Sequence, residues 1–224
     1  MAELLESVDK AKAIAAELIE LLHIPGDSGY EKCFHSHNYT LRYAYNGAKM
    51  QHPAFKLRLH KKPIGPGGPL QSTSGPSLPM MGFDKPAGEG PMTFAGHGDL
   101  NEVVTALEEL RDQYNMLVVP TKQIIEILAP KQKHVGFVLA FDVGDAMVSL
   151  SKEDGKYTMT VYRGTISTHP SNVSIKITLD DDLNLVNPTQ VKGPPEKVRR
   201  TMAAVLEDAQ KGTFRLIKQE ITDA

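Results

Sequence analysis

Cys33-Phe34-His35-Ser36-His37-Asn38-Tyr39-Thr40-Leu41-Arg42-Tyr43-Ala44-Tyr45 is the stretch on which the reading of this chain turns. Tyr39, Leu41, Tyr43 and Tyr45 alternate with Asn38, Thr40, Arg42 and Ala44. This period of two, rich in aromatics, predicts a strand over 33–45. On such a strand His35 and His37 point to one face, with Cα atoms roughly 6.6 Å apart at ~3.3 Å per residue. Two imidazoles at that separation reach one cation. Asn46-Gly47 is the residue pair a tight hairpin turn prefers.

Working outward, Leu4, Val8, Ala11, Ala15, Leu18 and Leu22 recur at helical spacing, predicting a helix over 3–22 that Pro25-Gly26 ends. Gly26-Asp27-Ser28-Gly29 resembles the nucleophile signature of chymotrypsin-like proteases. There a histidine and an aspartate precede the serine; here only the helix does. Phe55, Leu57 and Leu59 predict a second strand. Residues 62–91 hold seven prolines and seven glycines, too little apolar surface to offset chain entropy. They are expected to be a mobile insertion at about 61–92.

Asp99 with Glu102 has the form of a capping box and opens a helix expected to run to about Asp112. Thr121 is read as the cap of a second helix that stops at Pro130. Strands are predicted at Val135–Phe141, Met147–Leu150, Tyr157–Tyr162 and Val173–Leu179, with a hairpin at Asp154-Gly155. Pro194-Pro195 begins a helix that Gly212 closes, and a short strand follows over Thr213–Ile217. No internal repeat is evident. Two helices between two pairs of strands make the class α+β. The expected division is 1–164 with its insertion, then a strand-helix extension over 165–224.

Composition sets bounds. The net charge of −2 gives no electrostatic case for nucleic acid or an anionic membrane. No apolar run is long enough to span a bilayer. The N-terminal residues lack the pattern of a signal peptide, and one cysteine fits a reducing compartment, so a cytoplasmic location is expected. His23, His35 and His37 would leave a fourth position open on a zinc ion, the catalytic arrangement. The nearby Cys33 thiol would serve as proton carrier once its pKa is lowered.

These residues resemble the 6-pyruvoyltetrahydropterin and 6-carboxytetrahydropterin synthase family. The matching positions are His23, Lys32-Cys33 and His35-Ser36-His37-Asn38-Tyr39, then Gly90-Pro91-Met92-Thr93-Phe94, Gly98-Asp99-Leu100, Asp112-Gln113-Tyr114-Asn115, Pro120-Thr121-Lys122-Gln123, and Glu153 ahead of Tyr162-Arg163-Gly164. Ser36 stands where the family has glycine, Gln113 where it has a catalytic histidine, and Gln123 where it has a carboxylate. The resemblance implies a tunnelling-like fold of antiparallel strand pairs, closed by homo-oligomerisation. It implies a zinc-dependent lyase that eliminates triphosphate from 7,8-dihydroneopterin triphosphate. Zinc would sit on His23, His35 and His37, Cys33 and Asp112 would move protons, and Thr121 would contact substrate. Glu153, or failing it Asp142, would hold the edge of the pterin. Two other readings stand beside it. One is a non-catalytic binding or scaffold subunit that has lost its chemistry at Gln113. The other rests on Ile24–Glu31 and Phe94–Asp99, which are similar to the opening and the first metal motif of co-catalytic zinc aminopeptidases, with His97 as ligand and Asp99 orienting it.

Overall fold

The computed structural model describes residues 2–26, 28–62, 78–131, 136–164, 172–186 and 189–221. The chain divides into two compact units, 1–113 and 114–224.

The first unit opens with helix α1, Ala2–Leu22. Its Ala11, Ile14, Ala15, Leu18, Ile19 and Leu22 are buried, the stripe its helical spacing requires. A five-stranded antiparallel meander follows: β1 Tyr30–His35, β2 Tyr39–Tyr45, β3 Ala54–Lys61, β4 Leu78–Pro86 and β5 Thr93–Gly96, lying side by side in chain order. One face carries Phe34, Leu41, Tyr43, Leu57, Leu59 and Phe83, all buried. The first part of helix α2, Leu100–Leu128, belongs to this unit and buries Val103, Ala106, Leu107 and Leu110. Asp99 caps it: its Oδ1 accepts from the backbone N–H of Asn101 and of Glu102, both at 3.0 Å.

Three expectations fail in this unit. The stretch 33–45 is a hairpin, with a turn at Ser36–Asn38. Ser36 N–H donates to Tyr39 O at 3.0 Å, and Tyr39 N–H donates to Ser36 Oγ at 3.2 Å. Polar residues that bond their own backbone favour such a reversal. Asn46-Gly47 forms no two-residue turn; residues 46–53 connect β2 to β3, anchored by Ala54 N–H on Asn46 Oδ1. The proline-rich segment contains β4, paired on both sides along the sheet. Met80, Met81 and Phe83 supply enough buried apolar surface to hold that strand. Of the predicted insertion, residues 63–77 lie outside the described residues.

The second unit takes the rest of α2, whose Tyr114, Leu117, Val118, Ile124, Ile125 and Leu128 are buried. The two helices expected over 99–130 are therefore one, with Pro120 inside it. Pro120 has no N–H to give, and the next residue, Thr121, is a helix-interior residue whose Oγ1 donates to Leu117 O at 2.7 Å. A six-stranded sheet follows. Its strands are β6 Phe137–Val143, β7 Ala146–Glu153, β8 Lys156–Arg163, β9 Val173–Asp180, β10 Gln190–Lys192 and β11 Arg215–Ile221, in the spatial order β10-β9-β8-β7-β6-β11. Asp154 (φ 48°) and Gly155 (φ 68°) make the predicted hairpin turn, left-handed at both residues as a type I′ turn demands. Helix α3, Pro195–Lys211, begins with a proline in its first turn and ends on Gly212 at φ 67°. Its Val198, Met202, Val205 and Ala209 are buried, and it packs on β6 and β9.

The class is α+β, as expected, but strand pairs are replaced by two larger sheets. A division at 164 would part β8 from β9, which pair from Lys156↔Asp180 to Arg163↔Val173. Residues beyond 164 complete the second sheet rather than append to a finished domain. Element order partly repeats: helix, five-strand meander, helix in each unit, with α2 closing the first and opening the second, and β11 added after α3 in the second alone.

Candidate functional site

The three histidines do not converge. His23 follows α1 and packs among aromatics, its ring centroid 4.9 Å from that of Phe55 and 5.8 Å from that of Tyr45. Its Nδ1 lies 3.2 Å from the Tyr30 hydroxyl. Tyr30 begins β1 and His35 ends it, their Cα atoms roughly 17 Å apart at strand rise, so His23 packs at the end of β1 remote from His35. His35 Nδ1 lies 2.9 Å from Thr40 Oγ1, and burial, with Lys62 nearby, pushes its pKa down to about 4. His37 is in the turn rather than on a strand. No group of three or more metal-binding side chains occurs among the described residues. The residues proposed for zinc therefore do not fit a single three-histidine centre.

Other expected site residues are dispersed as well. Asp112 is exposed on α2. Cys33 alternates with the buried Phe34 and so lies on the sheet face opposite the core. Burial raises its thiol pKa, against the smaller lowering effect of Arg42, which disfavours the thiolate. Thr121 is fully buried. Glu153 is exposed at the end of β7, opposite Lys156. Tyr162 and Arg163 lie at the far end of β8, roughly 20 Å away. Asp142, the alternative anchor, is ion-paired with Arg215. For the peptidase pattern, His97 is exposed, while Asp99 caps α2 and does not orient an imidazole.

The turn that carries His37 is itself tied down. Asn38 donates from its backbone N–H and its Nδ2 to the two carboxylate oxygens of Glu109 on α2, both at 3.0 Å. Lys62 Nζ donates to Ser36 O at 2.5 Å. Two-point capture by one carboxylate is a strong arrangement. Here it joins hairpin to helix.

What the first unit does assemble is a groove of about 650 Å³ on the outer face of its sheet. The register explains it. Glu31, Ala44, Lys56, Asp84 and Thr93 form one cross-strand row, and Cys33, Arg42, Arg58, Gly82 and Ala95 the next. Small residues on β4 and β5 leave the hollow, and Met80, Met81 and Pro79 add apolar lining. Arg58 lies across Gly82 to reach Asp84, with Nη1 2.8 Å from Oδ1 and Nη2 3.3 Å from Oδ2. A Cβ on Gly82 would come within 3.1 Å of Arg58 Nη1, so glycine makes room for that crossing.

Asp84 is matched by Arg58. Arg42 and Lys56 are exposed and have no hydrogen-bond or ion-pair partner among the described residues. His60, beside them, has its pKa lowered by burial first and by Arg42 second. Glu31, in the row with Lys56, offsets part of that charge, and with Arg42, Lys56 and Arg58 set against Glu31 and Asp84 the groove keeps a surplus of one positive charge over an apolar floor. Alternation of Lys56, Arg58 and His60 along β3 was legible in the sequence; that Arg42 and Gly82 join them needed the strand register.

Set against protein-family models, curated proteins and solved structures, the chain matches none.

Proposed function

We propose that the first unit is a binding module for a small anionic molecule with an apolar body, held in the groove with Arg42 as its anion contact. The observation that carries this is the exposed Arg42 guanidinium, without a carboxylate partner among the described residues, in the lining of the groove. A guanidinium presents a planar fork suited to carboxylate or phosphate. The volume lies in the range of pockets that take small organic ligands, about 300–1,000 Å³. Lys56 adds a second cation, and the Met80–Met81 floor suits an apolar body, methionine being adaptable in shape.

The test uses anilinonaphthalene sulfonate, an anion on an aromatic body, followed by fluorescence titration. Saturable binding at one site is expected, weakened about tenfold or more in Arg42→Ala, the loss of one charge-assisted contact. Near-ultraviolet circular dichroism must stay native in both proteins. Absence of saturable binding, or equal binding by the variant, would sink the proposal.

A zinc-dependent lyase acting on dihydroneopterin triphosphate is the second reading. Arg42 and Lys56 suit a polyphosphate, and Cys33 lies next to Arg42 in register. The separation of His23 from His35 and the raised Cys33 pKa stand against it. Release of triphosphate from that substrate, with zinc measured per chain, decides it.

A further inference from the structure

Among the described residues, strand β11 is the terminal strand of the six-stranded sheet, hydrogen-bonded on one side to β6. All seven of its residues are exposed. Leu216, Ile217 and Ile221 are 49%, 52% and 47% exposed. Yet Leu216 stands opposite Phe141, and Ile221 opposite Phe137, both fully buried on β6. The apolar face of the sheet thus continues onto its last strand and is left uncovered there. Edge strands of this kind are templates for further pairing unless shortness, charge or a bulge blunts them. The opposite edge, β10, is short at three residues. β11 is longer and regular in register from Lys218 to Ile221, its one irregularity falling between Leu216 and Lys218.

The charges on β11 do not repel a second copy. Lys218 and Glu220 lie two apart on one face, already paired at 2.5 Å. With two β11 strands antiparallel and Gln219 opposite Gln219, Lys218 meets the second copy's Glu220 and Ile217 meets its Ile221, each twice by symmetry. Neighbouring registers fail. An axis on Lys218 or on Glu220 opposes like charges, which is destabilising. An axis between two residues is excluded outright, because it would oppose residues that point to different faces of the sheet. One register alone is complementary in both charge and apolarity.

We propose that β11 is a self-association surface. Two copies of the chain pair antiparallel through it about a two-fold axis at Gln219, joining their six-stranded sheets into one. Such an interface is isologous, so it closes at a dimer. Main-chain bonds along the edge supply adhesion, and the Lys218–Glu220 and Ile217–Ile221 pairs fix the register. This differs from the closed barrel of subunits that the resemblance to tunnelling-fold enzymes implies.

Charge reversal tests it on the full chain by sedimentation equilibrium. The wild type is expected to be a dimer at tens of micromolar. Lys218→Glu and Glu220→Lys each set like charges in opposition twice, and each is expected to weaken the dimer about tenfold or more. The double variant Lys218→Glu/Glu220→Lys restores opposite signs and is expected to recover wild-type association. Its recovery also guards against a variant that is merely misfolded, as does an unchanged far-ultraviolet circular dichroism spectrum. A monomeric wild type, a trimer or larger ring, a dimer indifferent to the single reversals, or a double variant that does not recover would each overturn the proposal.

Discussion

At the scale of residues, the histidine pair shows how one side-chain parity decides a site. If 33–45 were a single strand with Tyr39, Leu41, Tyr43 and Tyr45 inward, Phe34 would face outward. Phe34 is fully buried, so the phase of apolar positions changes between 34 and 39, and a change of phase needs a turn or a bulge. That signal was present in the sequence and outweighs the attraction of a His-x-His pattern. His35 is consequently a structural imidazole, held near Thr40 and half-buried, and its depressed pKa has a consequence for stability. The unfolded imidazole, at its usual value of 6.5, takes up a proton that the folded one, at about 4, refuses. Stability contributed by the neutral ring is present above 6.5 and is lost as pH falls from there towards 4. Urea midpoints measured at pH 7 and pH 5 should drop in the wild type and drop less in His35→Asn. Equal drops would mean that other groups carry the acid limb.

Among the elements, α2 departs furthest from its sequence signals. Pro120 and the polar run Asp112-Gln113 suggest a break, because proline inside a helix removes a hydrogen bond and crowds the preceding turn. The helix persists because Tyr114, Leu117, Val118, Ile124, Ile125 and Leu128 keep helical spacing through the proline and are buried. Tertiary burial of that stripe outweighs the local cost. The start of α2, in contrast, is set by local chemistry. Asp99→Ala leaves the N–H groups of Asn101 and Glu102 without their acceptor and is expected to cost about 1 kcal/mol, read as a lower denaturation midpoint. Asp99→Asn should retain most of that stability, since its amide oxygen still accepts. If alanine and asparagine behave alike, the cap contributes nothing.

For the whole molecule, the chain forms two compact units, and α2 runs through the boundary between them in sequence, residues 100–113 falling in the first and 114–128 in the second. The first unit closes its core with α1 and residues 100–113 of α2, and all residues lining the groove fall between Glu31 and His97. A polypeptide of residues 1–113 is therefore expected to fold alone and to bind the anionic probe within about threefold of the full chain's affinity, a difference under 1 kcal/mol. Circular dichroism and the same titration check both points. A fragment that is unfolded, or folded without Arg42-dependent binding, would show that the second unit completes the first. The dimer edge, by contrast, belongs entirely to the second unit, so the fragment is expected to be monomeric.

By itself the sequence determined the mixed α+β class, most strand positions of the second sheet, the cap at Asp99, the turn at Asp154-Gly155 and the ends of α3. These are local: each depends on a periodicity or on the few residues whose backbone preferences a turn or cap demands. Which strands lie beside which, that a proline-rich segment still yields β4, that α2 runs unbroken past Pro120, and that Arg42 meets Arg58 and Gly82 on one face were decided only by tertiary structure. Those outcomes depend on burial against residues distant in the chain, and no local pattern encodes the partner.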